Sequence, residues 1–321
     1  MRRCKSATWI TLLVVLLGVV HTVLGNYIYK FIGFVIDYCL NYTGQPYQGE
    51  LSFLFSGKFG AYGSLQLVIT LAVCIVLCGL ISYVAILVSC YIQKRGQNWI
   101  ANKYRMEIFK KSKGRKLPYS SGDLIVLLHE DIYEVGNIFI SYYSSIVSSI
   151  MSIVYTIFML NSISPYLLIT PIALTPFLVY FSIKYHKATY KQNKIYRKVD
   201  GELKDSISAI TASQDEVEYK TFKKLNNRHT QERKQLSHVS NKYSTILNII
   251  KILIYLISCT VAGVLAINGQ ILIGEYLIFS TFINTIYSQI ITLINNCISI
   301  RSAQPRVENV KSLMEECLDV Q

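Results

Sequence analysis

Catalysis by side chains needs partners within reach, and this chain of 321 residues offers few. Of its five histidines, His21 lies in an apolar run, while His129, His186, His229 and His238 lie in polar stretches. None stands in a Ser/His/Asp or Cys/His pattern, so no catalytic residue is expected. Among eight cysteines, Cys74 and Cys78 share a helix face at i, i+4, a spacing that suits two metal ligands. No His or carboxylate accompanies them, and thiols inside an apolar run behave as small hydrophobes, so no metal site is expected. A cradle for nucleotide phosphates needs a Gly-x-x-x-x-Gly-Lys-Ser/Thr loop, and the sequence has none; the chain by itself is not expected to hydrolyse ATP. What remains is a set of polar side chains inside apolar runs: His21, Thr22 and Asn26 in the first, and Ser280, Asn284, Ser288 and Gln289 in the last. Polar groups so placed either hydrogen-bond between helices or face a wet cavity. Asn284 and Ser288 share a face at i, i+4, with Thr281 and Thr285 beside them. A pathway lined in this way would be neutral and Tyr-rich, better matched to amphipathic or peptidic molecules than to small ions.

The elements that carry these residues follow from composition. The chain is 52% hydrophobic and only 16% charged, too little charge to coat a soluble protein of this length. A span of the hydrocarbon core takes about 20 mostly apolar residues. Six stretches qualify, near 7–36, 65–92, 135–160, 166–183, 252–267 and 276–300. The first follows Arg2, Arg3 and Lys5 as a signal peptide would. It is too long for one and lacks a small-x-small cleavage site, so it is read as a retained span. Lys30 and Asp37, near its far end, are read as interfacial. The expected class is therefore all-α, an integral membrane domain of six helices.

The net charge of +13 is distributed unevenly. The connection 37–64 carries only Lys58, and the connections 161–165 and 268–275 carry no Lys or Arg at all. The opposite side holds Arg2, Arg3, Lys5, the cluster Lys94–Lys116, the run Lys184–Lys251, and Arg301, Arg306 and Lys311. By the positive-inside rule both termini and both long loops are cytoplasmic in a multi-pass protein of the cell membrane. The same placement assigns the basic excess to cytoplasmic loops and not to nucleic-acid binding. The loops, 93–134 and 184–251, keep helical spacing of apolar residues: Ile100, Tyr104, Ile108 and Phe109 in the first, and Ile207, Ile210, Val217, Phe222 and Leu225 in the second. The spans are thus expected to run on beyond the bilayer, reversing near Pro118 and near 212–216. Ser120 and Ser121 are placed to cap the helix after the first reversal.

Several segments resemble the transmembrane domain of exporter-type, six-span ABC transporters. Ser121-Gly122-Asp123-Leu124, then Leu127-Leu128 and Asp131, is similar to the family pattern after the first coupling loop. The stretch 199–225, with Glu202, Ser206 and Phe222, resembles the segment of the second coupling loop. Asn268-Gly269-Gln270-Ile271-Leu272-Ile273-Gly274-Glu275-Tyr276-Leu277 looks like the entry into the last span. Arg301, Ala303 and Val307 before Leu313-Met314 resemble the tail that leads to a nucleotide-binding domain. One departure is Ala209-Ile210-Thr211-Ala212-Ser213-Gln214, which keeps only part of the second coupling motif.

The resemblance implies one transmembrane domain over 1–313, with 314–321 a stub towards a nucleotide-binding domain that the sequence does not contain. It implies that ATP and Mg²⁺ act through a partner ATPase domain or subunit, that a second transmembrane half completes the substrate pathway, and that lipid surrounds both. Coupling to the ATPase would fall to Lys116, Leu117, Pro118, Tyr119 and Ser120 in the first loop, and to Ser213, Gln214, Asp215 and Glu216 in the second. The substrate pathway would fall to His21, Thr22, Asn26, Ser280, Asn284, Ser288 and Gln289. An alternative from another class is a motor-less scaffold or peptide-sensing protein derived from such a domain. A secondary transporter fits less well, since internal repeats and paired intramembrane charges are both missing.

Overall fold

The computed structural model describes residues 5–40, 64–112, 127–213 and 216–316. Among these, every element is helical. We number them α1 Lys5–Leu40, α2 Ser64–Ser112, α3 Leu127–Ile163, α4 Ile169–Ser213, α5 Glu216–Ile267 and α6 Ile273–Glu316. All six contain a window long and apolar enough to cross a membrane. At 1.5 Å per residue, the 49 residues of α2 and the 52 of α5 reach roughly 75 Å. A bilayer core takes about 30 Å of that, so more than half of each helix lies outside the hydrocarbon. The side chains explain why the apolar part stays helical in lipid. Val76, Leu80, Tyr83 and Leu87 of α2 are exposed apolar groups among the described residues, a surface suited to acyl chains.

α3 is not uniform. Two π-helical stretches, Leu127–Asp131 and Ile138–Tyr142, flank the α-helical turn Ile132–Asn137, and a regular helix follows over Tyr143–Ile163. It stops at Ser164, whose backbone is extended and whose N–H still reaches Leu160 O at 3.0 Å. Pro165 then opens a single 3-10 turn, Pro165–Leu168, and its missing N–H costs nothing at that position. The turn between α5 and α6 is equally determined by its residues. Gly269 takes φ +70°, its N–H bonds Ala266 O, and Gln270 N–H bonds Leu265 O, the paired bonds of a Schellman cap. Glu275 closes the other side by accepting Leu272 N–H at 2.8 Å.

The chain divides into two compact units. The larger holds Met1–Pro171 and Ser258–Gln321. Within it α1 packs on α2, α3 and α6, and α3 packs on α6. Phe279, Phe282, Ile283, Ile286 and Tyr287 of α6 recur at helical spacing and are buried. Cys74 and Cys78 pack against Phe31, Phe34 and Leu71 as small apolar side chains.

The smaller unit is Ile172–Ile257, the arms of α4 and α5. Its hydrogen bonds join Tyr185 to Ser240, Gln192 to Glu232, Tyr196 to His229 and Arg228 to Glu202. Partners fall in number on α5 as they rise on α4, so the arms are antiparallel. The break between them lies at 214–215, outside the described residues.

Two expected stripes are corrected. Ile100 and Ile108 of α2 are buried, but Phe109 is exposed and does not join them. Among the described side chains of the second loop the buried apolar residues are Val199, Leu203, Leu247 and Ile250, while Ile207 is exposed. Single charged residues between widely spaced apolar ones shift the face by a fraction of a turn, which a spacing count does not resolve.

Candidate functional site

The polar residues of the spans separate into two groups once their partners are known. His21 of α1 uses Nδ1 on Ser82 Oγ of α2 at 2.7 Å, and also lies 3.2 Å from Ser82 O. It fastens two spans together. Thr22 Oγ1 donates to Gly18 O of its own helix. Gln289 Oε1 accepts from Ser149 Oγ of α3 at 2.9 Å, and seven residues on Asn296 Nδ2 donates to Ser145 Oγ at 2.8 Å. These two bonds form a polar seam between α3 and α6. The small side chains of Ser145 and Ser149 let the backbones approach, as in other membrane helix pairs. Neither Ser145, Ser149 nor Asn296 was expected from sequence; the signal for them was the serine-rich run Tyr142–Ser152 in a segment otherwise apolar.

The second group comprises Asn26 and the small polar residues around Asn284. Asn284 is exposed and lies midway between Ser280 and Ser288 on one line of α6, each four residues away. Ser280, Thr281 and Thr285 donate to carbonyls of their own helix, so their hydroxyl oxygens can still accept. Asn26 of α1 is buried, and its Nδ2 has no hydrogen-bond partner among the described residues. A buried amide left so costs about 1–3 kcal/mol, which makes it the most conspicuous unspent donor in the first span.

At the other end of the spans Asp37, expected near the interface, is held against the start of α6. It is buried, and its Oδ1 accepts Gly274 N–H at 2.6 Å. Gly274 is the second residue of α6, so the carboxylate faces the positive end of the helix dipole. No Cβ fits at Gly274: it would collide with Gly33 O and with Asp37 Oδ2. Gly33 is equally enclosed, by Ile278 and by Gly274 O. Two glycines thus permit the closest approach of α1 to α6.

Beyond the basic end of the spans, α2, the start of α3 and the tail of α6 share a compact core. Ala101 and Ile108, Leu127, Ile132 and Val135, and Val310 and Leu313 are its buried members, with Val307 and Met314 packed alongside. Asp131 sits at its edge, accepting from Asn309 Nδ2 at 3.4 Å and lying 3.7 Å from Arg306 Nε. Arg105 reaches across from α2 to Leu128 O at 2.8 Å. Gln97, almost wholly buried, bonds Ser141 Oγ and accepts from Tyr133 OH. Four residues that carried the tail resemblance, Ala303, Val307, Leu313 and Met314, are buried or half-buried here.

Of the residues expected at the coupling loops, Lys116, Leu117, Pro118, Tyr119, Ser120, Gln214 and Asp215 lie outside the described residues. Ser213 ends α4 and Glu216 begins α5. Among the described residues no cluster of His, Cys, Asp and Glu could hold a metal ion.

A family model described as the ABC transporter transmembrane region matches residues 8–290. No curated protein matches the chain.

Proposed function

Because this chain belongs to the family of ABC transporter transmembrane regions, we propose that it is the permease half of an ATP-driven exporter. In this reading a second copy or a homologue supplies the other half of the pathway. Its motor is an ATPase domain or subunit that holds ATP and Mg²⁺, since the residues here include no phosphate cradle. The loops near Pro118 and near Asp215 seat on that motor, and the substrate meets the line Ser280, Asn284 and Ser288 together with Asn26.

The observation that carries the reading is the shared core of α2, α3 and the α6 tail. Ile108, Ile132 and Leu313 are buried in one cluster, and Asp131 ties to Arg306 and Asn309. A push delivered through the first loop or through the tail therefore moves one body. The spans continue from that body without a break, so displacement outside the membrane becomes tilt within it. Closure of the ATPase around nucleotide would favour one arrangement of the spans over another, a population shift set by differential binding.

The test is purification of the chain from its native membrane with whatever ATPase accompanies it. ATP turnover should depend on Lys116–Ser120 of this chain, and alanines there should abolish its response to transported molecules. If no ATPase co-purifies, or turnover ignores those substitutions, the exporter reading fails and the scaffold reading replaces it. Orientation is checked separately. Gln270→Cys should react with an impermeant maleimide on intact cells, and Lys234→Cys should react only after the cells are opened.

A further inference from the structure

The polar arm of α4 carries two faces with different uses. Tyr185, Gln192 and Tyr196 turn towards α5, where they meet Ser240, Glu232 and His229. About 140° round the helix from that seam stand Lys184, Lys187, Lys191, Lys194 and Lys198. All five are exposed, and among the described residues none is held in an ion pair. They follow one another in alternating steps of three and four residues, a seven-residue repeat that keeps one line along the helix for about 21 Å.

The arms hold little to neutralise this line. α4 has no Asp or Glu between Ile169 and Val199, and α5 has none between Arg233 and Ile267. Asp200 is engaged by Lys204 and His229, and Glu232 accepts from Gln192 in the seam. One turn past Lys198 the same line becomes acidic, at Glu202 and Asp205, so the basic surface has a definite end. Like charges one turn apart disfavour a helix, and only a counter-charge from outside the arm would relieve these.

The geometry discriminates among counter-charges. Lipid headgroups extend about 5–8 Å beyond the hydrocarbon, and their field is screened within about 8 Å at physiological salt. The apolar run of α4 ends at Ile183, so lipid can serve Lys184 and Lys187. Lys191, Lys194 and Lys198 lie about 10–21 Å further along the helix than Lys184, out of its reach. A second copy of this face would set lysine against lysine. A nucleic acid spreads its charge over a broad surface, whereas this line is one side chain wide. A helix with Asp or Glu in the same alternating steps meets every lysine once, at the crossing angle of about 20° that such a repeat produces.

We propose that the lysine line of α4 is a docking surface for an acidic amphipathic helix, about two heptads long, of a soluble partner protein. It shares no residue with the polar line of α6 or with the coupling loops, and stands or falls apart from any role in export.

Photo-crosslinking in the native membrane tests it, with p-benzoylphenylalanine placed at Ile195, an exposed position between Lys191 and Lys198. Mass spectrometry of the adduct should read a protein segment with Asp or Glu in steps of three and four over about 14 residues. Replacing Lys187, Lys191 and Lys194 with Gln should cut the yield about tenfold or more. The same change at Lys220, Lys223 and Lys224 of α5, an equal loss of charge, should leave it unaltered. A synthetic two-heptad helix with Glu in those steps gives a second reading, by fluorescence anisotropy on the purified full chain. It should bind about tenfold more tightly than a scrambled peptide of equal charge, weaken on Lys191→Glu, and recover when its facing Glu is exchanged for Lys. An adduct to lipid or nucleic acid, a segment without the acidic spacing, or no adduct overturns the proposal. So does equal loss in the two Gln triples, or equal binding of the ordered and scrambled peptides.

Discussion

Replacing Gly274 with Ala should destabilise the chain far more than a Gly→Ala change usually does in a helix. A methyl at Gly274 meets Gly33 O and the Asp37 carboxylate. The first is backbone and cannot rotate away; the second can move only by abandoning Gly274 N–H, now 2.6 Å distant. Overpacking of this kind costs about 1–3 kcal/mol, and loss of a hydrogen bond to a buried carboxylate about 1.5–3 kcal/mol more. The total is about 2.5–6 kcal/mol if α1 and α6 must separate, less if they part only locally. Gly25, eight residues before Gly33 on α1, is the internal control because nothing lies near a Cβ there. Gly25→Ala should be neutral or gain about 0.5–1 kcal/mol from reduced backbone entropy. The assay is survival of the monodisperse species after heating the detergent-solubilised chain, read by size-exclusion chromatography. Gly274→Ala should lower the midpoint by on the order of 10 °C relative to Gly25→Ala. Asp37→Asn keeps an acceptor but loses the charge facing the helix dipole, and should fall between the two. Equal midpoints for Gly274→Ala and Gly25→Ala would refute the claim that two glycines hold these helices together.

Asp131→Ala should loosen the α6 tail, leaving Arg306 and Asn309 without their acceptor. Both partners are partly screened by solvent, so about 1–2 kcal/mol is expected, seen as roughly tenfold faster tryptic cleavage after Arg306. In a background with the native cysteines replaced by Ser, Asn284→Cys should react readily with a water-soluble maleimide. Gln289→Cys should react slowly, because position 289 faces Ser149 in the seam with α3; comparable rates would dissolve that distinction. His229→Ala should remove a partner from Tyr196 OH and from Asp200 Oδ1, each 3.1 Å from His229 Nε2, leaving Asp200 its ion pair with Lys204. Hydrogen exchange through residues 192–204 should then rise on the order of tenfold, while exchange in the larger unit stays unchanged.

The spans were legible because hydrophobicity is written residue by residue: an uninterrupted apolar run has no alternative to burial in lipid. The helical character of the polar extensions was also legible, since Ile100 and Ile108 keep their period. Which polar residues serve packing was not. His21 and Asn284 look alike in sequence, each a polar group in an apolar run, yet one is bound to Ser82 and the other is exposed. The difference lies in which helix is opposite, and pairing is set by small residues such as Gly33, Gly274, Ser145 and Ser149. The contact of Asp37 was hidden for the same reason. Its partner is a backbone N–H 237 residues away, which no local pattern announces.

The π-helical stretches of α3 carry a consequence for how this chain can vary over evolutionary time. Each π turn holds one residue more than the α-turn it replaces, absorbed by hydrogen bonds that skip one place further along. Removing a single residue from Leu127–Asp131 or from Ile138–Tyr142 would restore a plain α-turn and leave the rotation of everything after it intact. A deletion elsewhere in the same helix would turn Ser145 and Ser149 about 100° away from Asn296 and Gln289. One-residue gaps between this chain and its descendants or cousins are therefore expected to collect at those two stretches, where length can change while the seam with α6 keeps its register.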